Sequence, residues 1–307
     1  MRSLEPVRLR DLYELIYSLS RTQKVSYLCS LFEVSRTAYY RYRRGKSHNV
    51  ERKYNRPKHE IRIEFIRNMK RYGSRRIKES LKQKGMKIGR RKVVEIMRKE
   101  GLRAIQPPRY IPRTTDSGHG KRVSPNLLLD QPKPSKPNCV WISDITYMPL
   151  KGGKWAYLCV WMDLFSRQIV GWQLGDNMQE SLVRDPLEKA LLRRKVKPGM
   201  IVHSDRGGQY LSYKMKELIR TFNLKQSGPP RGMSRADDPY DNAWAESFWS
   251  RLKAELNMPK GGYESLEKLK AALFEYIDGY YNTKRLHSSL NYLNPAAFEA
   301  QYYRQTG

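Results

Sequence analysis

From residue 140 to residue 222 the chain carries three strand-like segments in succession and then alternates helix with strand. That order restricts the fold more than any other feature. Residues 140–148, 155–162 and 167–174 are rich in β-branched and aromatic side chains, the last two separated by a short turn around Asp163-Leu-Phe-Ser-Arg167. Residues 181–194 then read as a helix, 200–204 as a buried strand and 213–222 as a second helix. Adjacent strands followed by helix–strand alternation give a mixed α/β sheet. A dinucleotide-binding fold would need parallel crossovers throughout and a glycine-rich first turn, and neither is present.

Three acids sit in this framework. Asp144 lies within Val140-Trp-Ile-Ser-Asp-Ile-Thr-Tyr147, where period-two alternation puts it on the face of Ile142 and Thr146. A carboxylate in an apolar strand is costly unless it is paired or bound to a metal. Asp205 closes the strand that ends His203-Ser-Asp205, just before Gly207-Gly208. Read alone, Asp205 fits a turn-capping residue as well as a ligand. Glu246 falls in a stretch of helix formers opened by Asp241, a plausible N-cap. Convergent carboxylates repel one another unless a cation lies between them, and Mg²⁺ takes oxygen ligands while keeping other positions for water or phosphate. Asp144, Asp205 and Glu246 are therefore the candidate catalytic and metal-binding residues, for two Mg²⁺ ions or Mn²⁺ in their place. Ser250 and Lys253 follow Glu246 by four and seven residues and share its helix face. Lys253 suits a scissile phosphate, although a surface lysine has the same spacing. Trp244, Phe248 and Leu252 are spaced as a core stripe, Asp163 as the organiser of its turn, and His203 as either a neighbour of the site or a structural histidine.

The runs Trp141-Ile-Ser-Asp-Ile-Thr-Tyr147, His203-Ser-Asp-Arg-Gly-Gly-Gln-Tyr210, Asp241-Asn-Ala-Trp-Ala-Glu-Ser-Phe248, Tyr281-Asn-Thr-Lys-Arg-Leu-His-Ser-Ser-Leu290 and Asn294-Pro-Ala-Ala-Phe298 occur in that order. Together they resemble the DDE transposases of the IS-three group of bacterial insertion sequences, in particular the second reading-frame product. The resemblance implies a ribonuclease-H-like core that nicks DNA at the element's 3′ ends and joins them to new sites. It also marks Lys253, by a basic residue seven after the glutamate. One departure stands out. Forty residues separate Asp205 from Glu246, five more than is usual in the family, and the usual interval would end on Asp241. We place the surplus in Gly228-Pro-Pro-Arg-Gly232 and keep Glu246 as the third acid because of its local context. Arg285 and His287 belong to the fourth run, which fits either docking of the C-terminal segment or contact with DNA.

Charge accounts for the rest of the chain. With 60 Lys and Arg against 30 Asp and Glu the protein carries a formal +30, which calls for a polyanionic partner. Residues 1–113 hold 32 basic and 10 acidic side chains, so the first third is the expected DNA-gripping part. Residues 1–50 read as a helix-turn-helix-like module, with Ser35 capping a helix whose Arg41, Arg43 and Arg44 are candidate DNA contacts. Residues 51–106 read as a second such module. In it Ser74 and Gly85 bound one helix, Gly101 ends another, and Arg75, Arg76, Arg90, Arg91 and Lys92 gather near helix N-termini, where phosphate is favoured. A solvated basic face is the simpler alternative for each.

Residues 107–137 are rich in Pro, Ser, Gly and Lys and read as a linker, 138–260 as the catalytic core and 261–307 as a C-terminal helical extension. Cys29, Cys139 and Cys159 form no closely spaced pair, so neither disulfides nor structural zinc are expected. No apolar run is long enough to cross a membrane, and a cytoplasmic, nucleoid-associated protein is expected. The partners expected are double-stranded DNA, at element ends and targets, and further copies of the chain. An upstream-frame product that supplies a zipper is a further expected partner. Two rival functions remain: a DNA-binding regulator with an inactive core, and a ribonuclease-H-like nuclease that cuts without joining.

Overall fold

The computed structural model describes residues 9–44, 48–106, 127–128, 132–204, 208–228 and 243–306. The chain divides into two compact units, residues 1–103 and 104–307.

In the first unit, helices α1 (Leu9–Leu19), α2 (Val25–Leu31) and α3 (Arg36–Arg43) pack around Tyr13, Ile16, Leu28, Cys29 and Tyr39. Ser35 caps α3 as its sequence suggests, accepting from the Ala38 N–H at 3.4 Å. Helices α4 (His48–Arg67), α5 (Ser74–Gln83) and α6 (Arg90–Lys99) pack through Ile61, Phe65, Ile77, Leu81, Val93 and Ile96. Helix α4 runs for 20 residues and holds Pro57 within it. Gly85 and Gly101 take left-handed φ values of 81° and 64° after α5 and α6, where a side chain would be strained. One local expectation is overturned: Ser74 is the first residue of α5, not its cap. The N-cap is Gly73, with no side-chain hydrogen bond. Glu64 is buried at the centre of this bundle. Its Oε1 accepts from Asn68 Nδ2 (2.9 Å) and Ser80 Oγ (2.7 Å), and its Oε2 from Lys84.

The second unit is built on five strands, β1 (Val140–Pro149), β2 (Trp155–Asp163), β3 (Ile169–Gly175), β4 (Ile201–Ser204) and β5 (Lys225–Ser227), in the order β3-β2-β1-β4-β5. β1 and β2 are antiparallel, as are β2 and β3, while β4 runs parallel to both β1 and β5. This mixed sheet is ribonuclease-H-like. The short strand β5 escaped the sequence reading, because three residues are too few to show a period.

Alternation splits the sheet into two faces. Trp141, Cys159, Trp161 and Val202 pack against α7 (Ser181–Arg193) and α8 (Tyr213–Thr221). Helix α7 lies so close to β3 that a Cβ on Gly171 would stand 2.3 Å from the Pro186 carbonyl oxygen. The opposite face carries Ile142, Asp144, Leu158 and Val160 beneath α9 (Ala243–Glu255), with α10 (Leu266–Tyr276), a π-helical turn over Ile277–Tyr281 and α11 (Pro295–Thr306) following. Asp163 organises its turn as expected, its Oδ1 accepting from the N–H groups of Phe165 (2.9 Å) and Ser166 (3.0 Å). Among the described residues no helix is long and apolar enough to cross a membrane.

Candidate active site

Asp144 stands in the middle of β1, opposite Val160, with fully buried Ile142 and Met148 on the same face. Its carboxylate is met by α9: the Trp249 indole N–H donates to Oδ2 at 2.8 Å. Four residues further along the same helix, Lys253 is partly buried. Burial lowers its pKa below the ordinary lysine value, and the nearby Asp144 charge opposes that shift. The face of α9 turned toward Asp144 therefore runs through Trp249 and Lys253.

Phe248 and Leu252 are core residues as expected, whereas Trp244 is only partly buried. Ser250 is exposed. Trp249 was not singled out by sequence. Its signal was position: three residues after Glu246 and four before Lys253.

Position 246 belongs to the first turns of α9, one turn before Trp249. The Glu246 side chain, all of Asp205, residues 229–242 with Asp241, and so most of the five-residue surplus lie outside the described residues. Described residues nonetheless lead up to Asp205. Ser204, the residue before it, pairs with Ser143, the residue before Asp144. Tyr210, five residues after it, is buried, and its hydroxyl lies 2.8 Å from Ser143 Oγ. His203 is buried, with Nδ1 3.0 Å from Ser227 Oγ, which also accepts from the Leu127 N–H at 2.8 Å. That environment fits the structural histidine of the two sequence readings. It also brings residues 127 and 128, within the stretch read as a linker, onto the core, where Leu128 is buried. Among the described residues no three His, Cys, Asp or Glu side chains cluster as a metal site, Asp144 being the one acid of the three whose side chain is described.

Three family models match the chain: an HTH-like domain over residues 53–110 and two integrase core domain models over 134–232 and 232–295. The transposase of insertion element IS904 of Lactococcus lactis is 38% identical, over 84% of this chain and 98% of its own length. Transposase InsF of IS3A of Escherichia coli K12 is 35% identical, over 89% and 92%. The chain belongs to the IS3 transposase family. An uncharacterised 31 kDa protein of IS600 from Shigella sonnei is 34% identical, over 90% of this chain and 99% of its own. A retroviral integrase catalytic core, that of HTLV-2, aligns with a TM-score of 0.40 and 16% identity over 54% of this chain and 98% of its own. As a member of this family the protein is a DNA transposase.

The basic residues of the transposase sort by environment. Arg75, Arg90 and Arg91 are exposed in the first turns of α5 and α6, whose N-caps Gly73 and Gly89 offer no side-chain hydrogen bond. Those turns present backbone N–H groups together with guanidinium groups. Arg76 is drawn inward, toward the Tyr72 ring and the Arg71 carbonyl, and Lys92 pairs with Glu95 at 3.0 Å. Arg41, Arg43 and Arg44 are exposed, with the Arg43 guanidinium 3.4 Å from the centre of the Tyr17 ring.

The fourth sequence run turns inward as well. Arg285 is 1% exposed and forks onto Glu255, Nε to Oε2 at 2.7 Å and Nη2 to Oε1 at 2.6 Å. Burial works against its charge, but the Glu255 carboxylate outweighs that effect and raises its pKa. Asn282 donates to the Ile169 carbonyl (3.0 Å) and accepts from the Ile169 N–H (2.9 Å) at the start of β3. Of the two sequence readings for this run, docking is the one observed for Arg285.

Proposed function

We propose that the transposase cuts DNA by hydrolysis and joins it by transesterification at a site formed by Asp144, Asp205 and Glu246. The observation that carries this reading is the Trp249–Asp144 hydrogen bond, because it brings the helix that bears Glu246 onto the strand that bears Asp144. The pairing of Ser204 with Ser143 supports Asp205 as the neighbour of Asp144. Carboxylate oxygens are hard donors, so the set fits Mg²⁺ or Mn²⁺ and does not fit a soft metal. Two such ions, when bound, supply activation of the attacking oxygen and stabilisation of the leaving one.

The chain's own residues do the rest. Trp249 holds Asp144 in one orientation. Lys253, pointing toward the same carboxylate, contacts the scissile phosphate. In the first step water attacks the phosphorus at the element's end and the P–O3′ bond breaks, leaving a 3′-hydroxyl. In the second, that hydroxyl attacks a phosphodiester of the target, a new P–O bond forms and the target's own 3′-oxygen leaves. No covalent protein intermediate is needed. Arg75, Arg90 and Arg91, with Arg76 and Lys92 behind them, hold the phosphates of the duplex, as do Arg41, Arg43 and Arg44 in the preceding module.

The same reading divides the chain into modules at 1–50 and 51–106, a linker at 107–137, a core at 138–260 and an extension at 261–307. It places the protein on the nucleoid in the cytoplasm, as a dimer or larger assembly on DNA that can include an upstream-frame product.

The test is a joining assay with DNA carrying element ends and Mg²⁺. Asp144→Ala and Glu246→Gln should lose both nicking and joining, while Asp241→Asn keeps most activity because Asn caps a helix as well as Asp. An active Glu246→Gln beside a dead Asp241→Asn would move the third acid to Asp241. Nicked products without joined ones from the unaltered chain would favour a nuclease.

A further inference from the structure

Helix α9 is also held by one C-terminal stretch, residues 276–287. Tyr281 packs edge-on against Phe248 near the middle of the helix, with ring centres 5.2 Å apart. Arg285 forks onto Glu255, its last residue, and the Tyr276 hydroxyl donates to the same carboxylate at 3.0 Å. His287 stands edge-on to Tyr281 at 4.9 Å, with Nε2 3.4 Å from Arg285 Nη1. The same segment grips the backbone of β3 through both ends of the Asn282 amide. It thus ties α9 to the edge strand of the sheet independently of the Trp249–Asp144 contact.

Stability alone does not account for this arrangement. Burying an ion pair costs desolvation that its attraction only about repays, and apolar replacements of similar volume are often neutral or stabilising. A two-pronged guanidinium–carboxylate pair does what apolar packing does poorly: it fixes one geometry. A slip of one residue along α9 would move its side chains by about 1.5 Å and turn them by about 100°. Lys253 and position 246 would then leave the face turned to Asp144.

We propose that Arg285 is a positioning residue for cleavage and joining: by locking Glu255 it sets the register of α9 over β1, and with it the placement of Lys253 and Glu246 relative to Asp144. This rests on the assignment of Glu246 as the third acid. The Tyr281-to-His287 run accordingly acts on the site through α9.

The test uses the full chain and the double variant Glu255→Met/Arg285→Met, which keeps the volume and removes the lock. Thermal unfolding should stay close to that of the unaltered protein, and the amides of α9 should exchange faster with solvent. In joining assays kcat should fall about 10- to 100-fold, the scale of a misplacement near 1 Å, with KM for end-bearing DNA unchanged. Arg285→Lys, which keeps the charge and loses the fork, should fall between the two. Unaltered kcat and unaltered α9 exchange in the double variant would overturn the proposal, reducing the pair to packing. Should the double variant not fold, Arg285→Lys decides, and kcat equal to that of the unaltered chain overturns it. Failure of the acid assignment is read separately, from Glu246→Gln, because these variants leave all three acids in place.

Discussion

Trp249 Nε1 lies 2.8 Å from Asp144 Oδ2, so an indole on helix α9 fixes the orientation of a carboxylate on the central strand β1. A hydrogen bond to a charged group contributes about 1.5–3 kcal/mol, and its loss here leaves a partly buried carboxylate without that donor. Trp249→Phe keeps the ring in the core and removes the N–H. Nicking should slow roughly 10-fold or more, since about 1.4 kcal/mol corresponds to a factor of ten. DNA binding, measured by titration at fixed salt, should not change. Equal activity of the two proteins would show that Asp144 does not need the indole.

Lys253 makes a prediction about pH. Its pKa in the folded protein is lowered by burial, against the opposing pull of Asp144. The unfolded chain therefore binds more protons between the folded and the ordinary lysine values, and stability rises with pH across that alkaline interval. Lys253→Met removes the group that carries the penalty. At neutral pH the variant should unfold at the same temperature as the natural protein or higher, and the gap should close as pH rises through the alkaline range. Cleavage of end-bearing DNA should fall more than binding to random DNA. A variant less stable at neutral pH, with unaltered cleavage, would return Lys253 to a structural role.

Glu64 titrates in the other direction. Burial raises its pKa, but hydrogen bonds from Lys84, Ser80 and Asn68 and the Lys84 charge outweigh burial and leave it lowered. Its contribution is present above the ordinary glutamate range and is lost as pH falls through the folded value. Glu64→Gln should destabilise the unit spanning residues 1–103 by about 1–3 kcal/mol at neutral pH, because buried donors lose a charged acceptor. Chemical unfolding of that fragment should show the difference shrinking in acid. A difference independent of pH would mean that shape, not charge, is what Glu64 supplies.

Local chemistry made much of this protein legible from its sequence. Alternation around Asp144 gave its strand and its face, because side chains on a pleated strand repeat every two residues. Ser35, Gly85 and Gly101 marked helix ends, since capping and left-handed φ are properties of single residues. The motif runs, read in order, were enough for the family, and the +30 charge was enough for a polyanionic partner. Tertiary structure decided what distant segments do to one another. Ser74 looked like a cap, but the helix starts at it and Gly73 takes the cap position. Trp249 carried no reading from sequence until β1 was placed beneath it. Arg285 could have faced DNA or the core, and only the burial of Glu255, thirty residues away, settled which. Such pairings arise from long-range packing, which fixes which polar groups lose water together, and no local pattern in the chain encodes that.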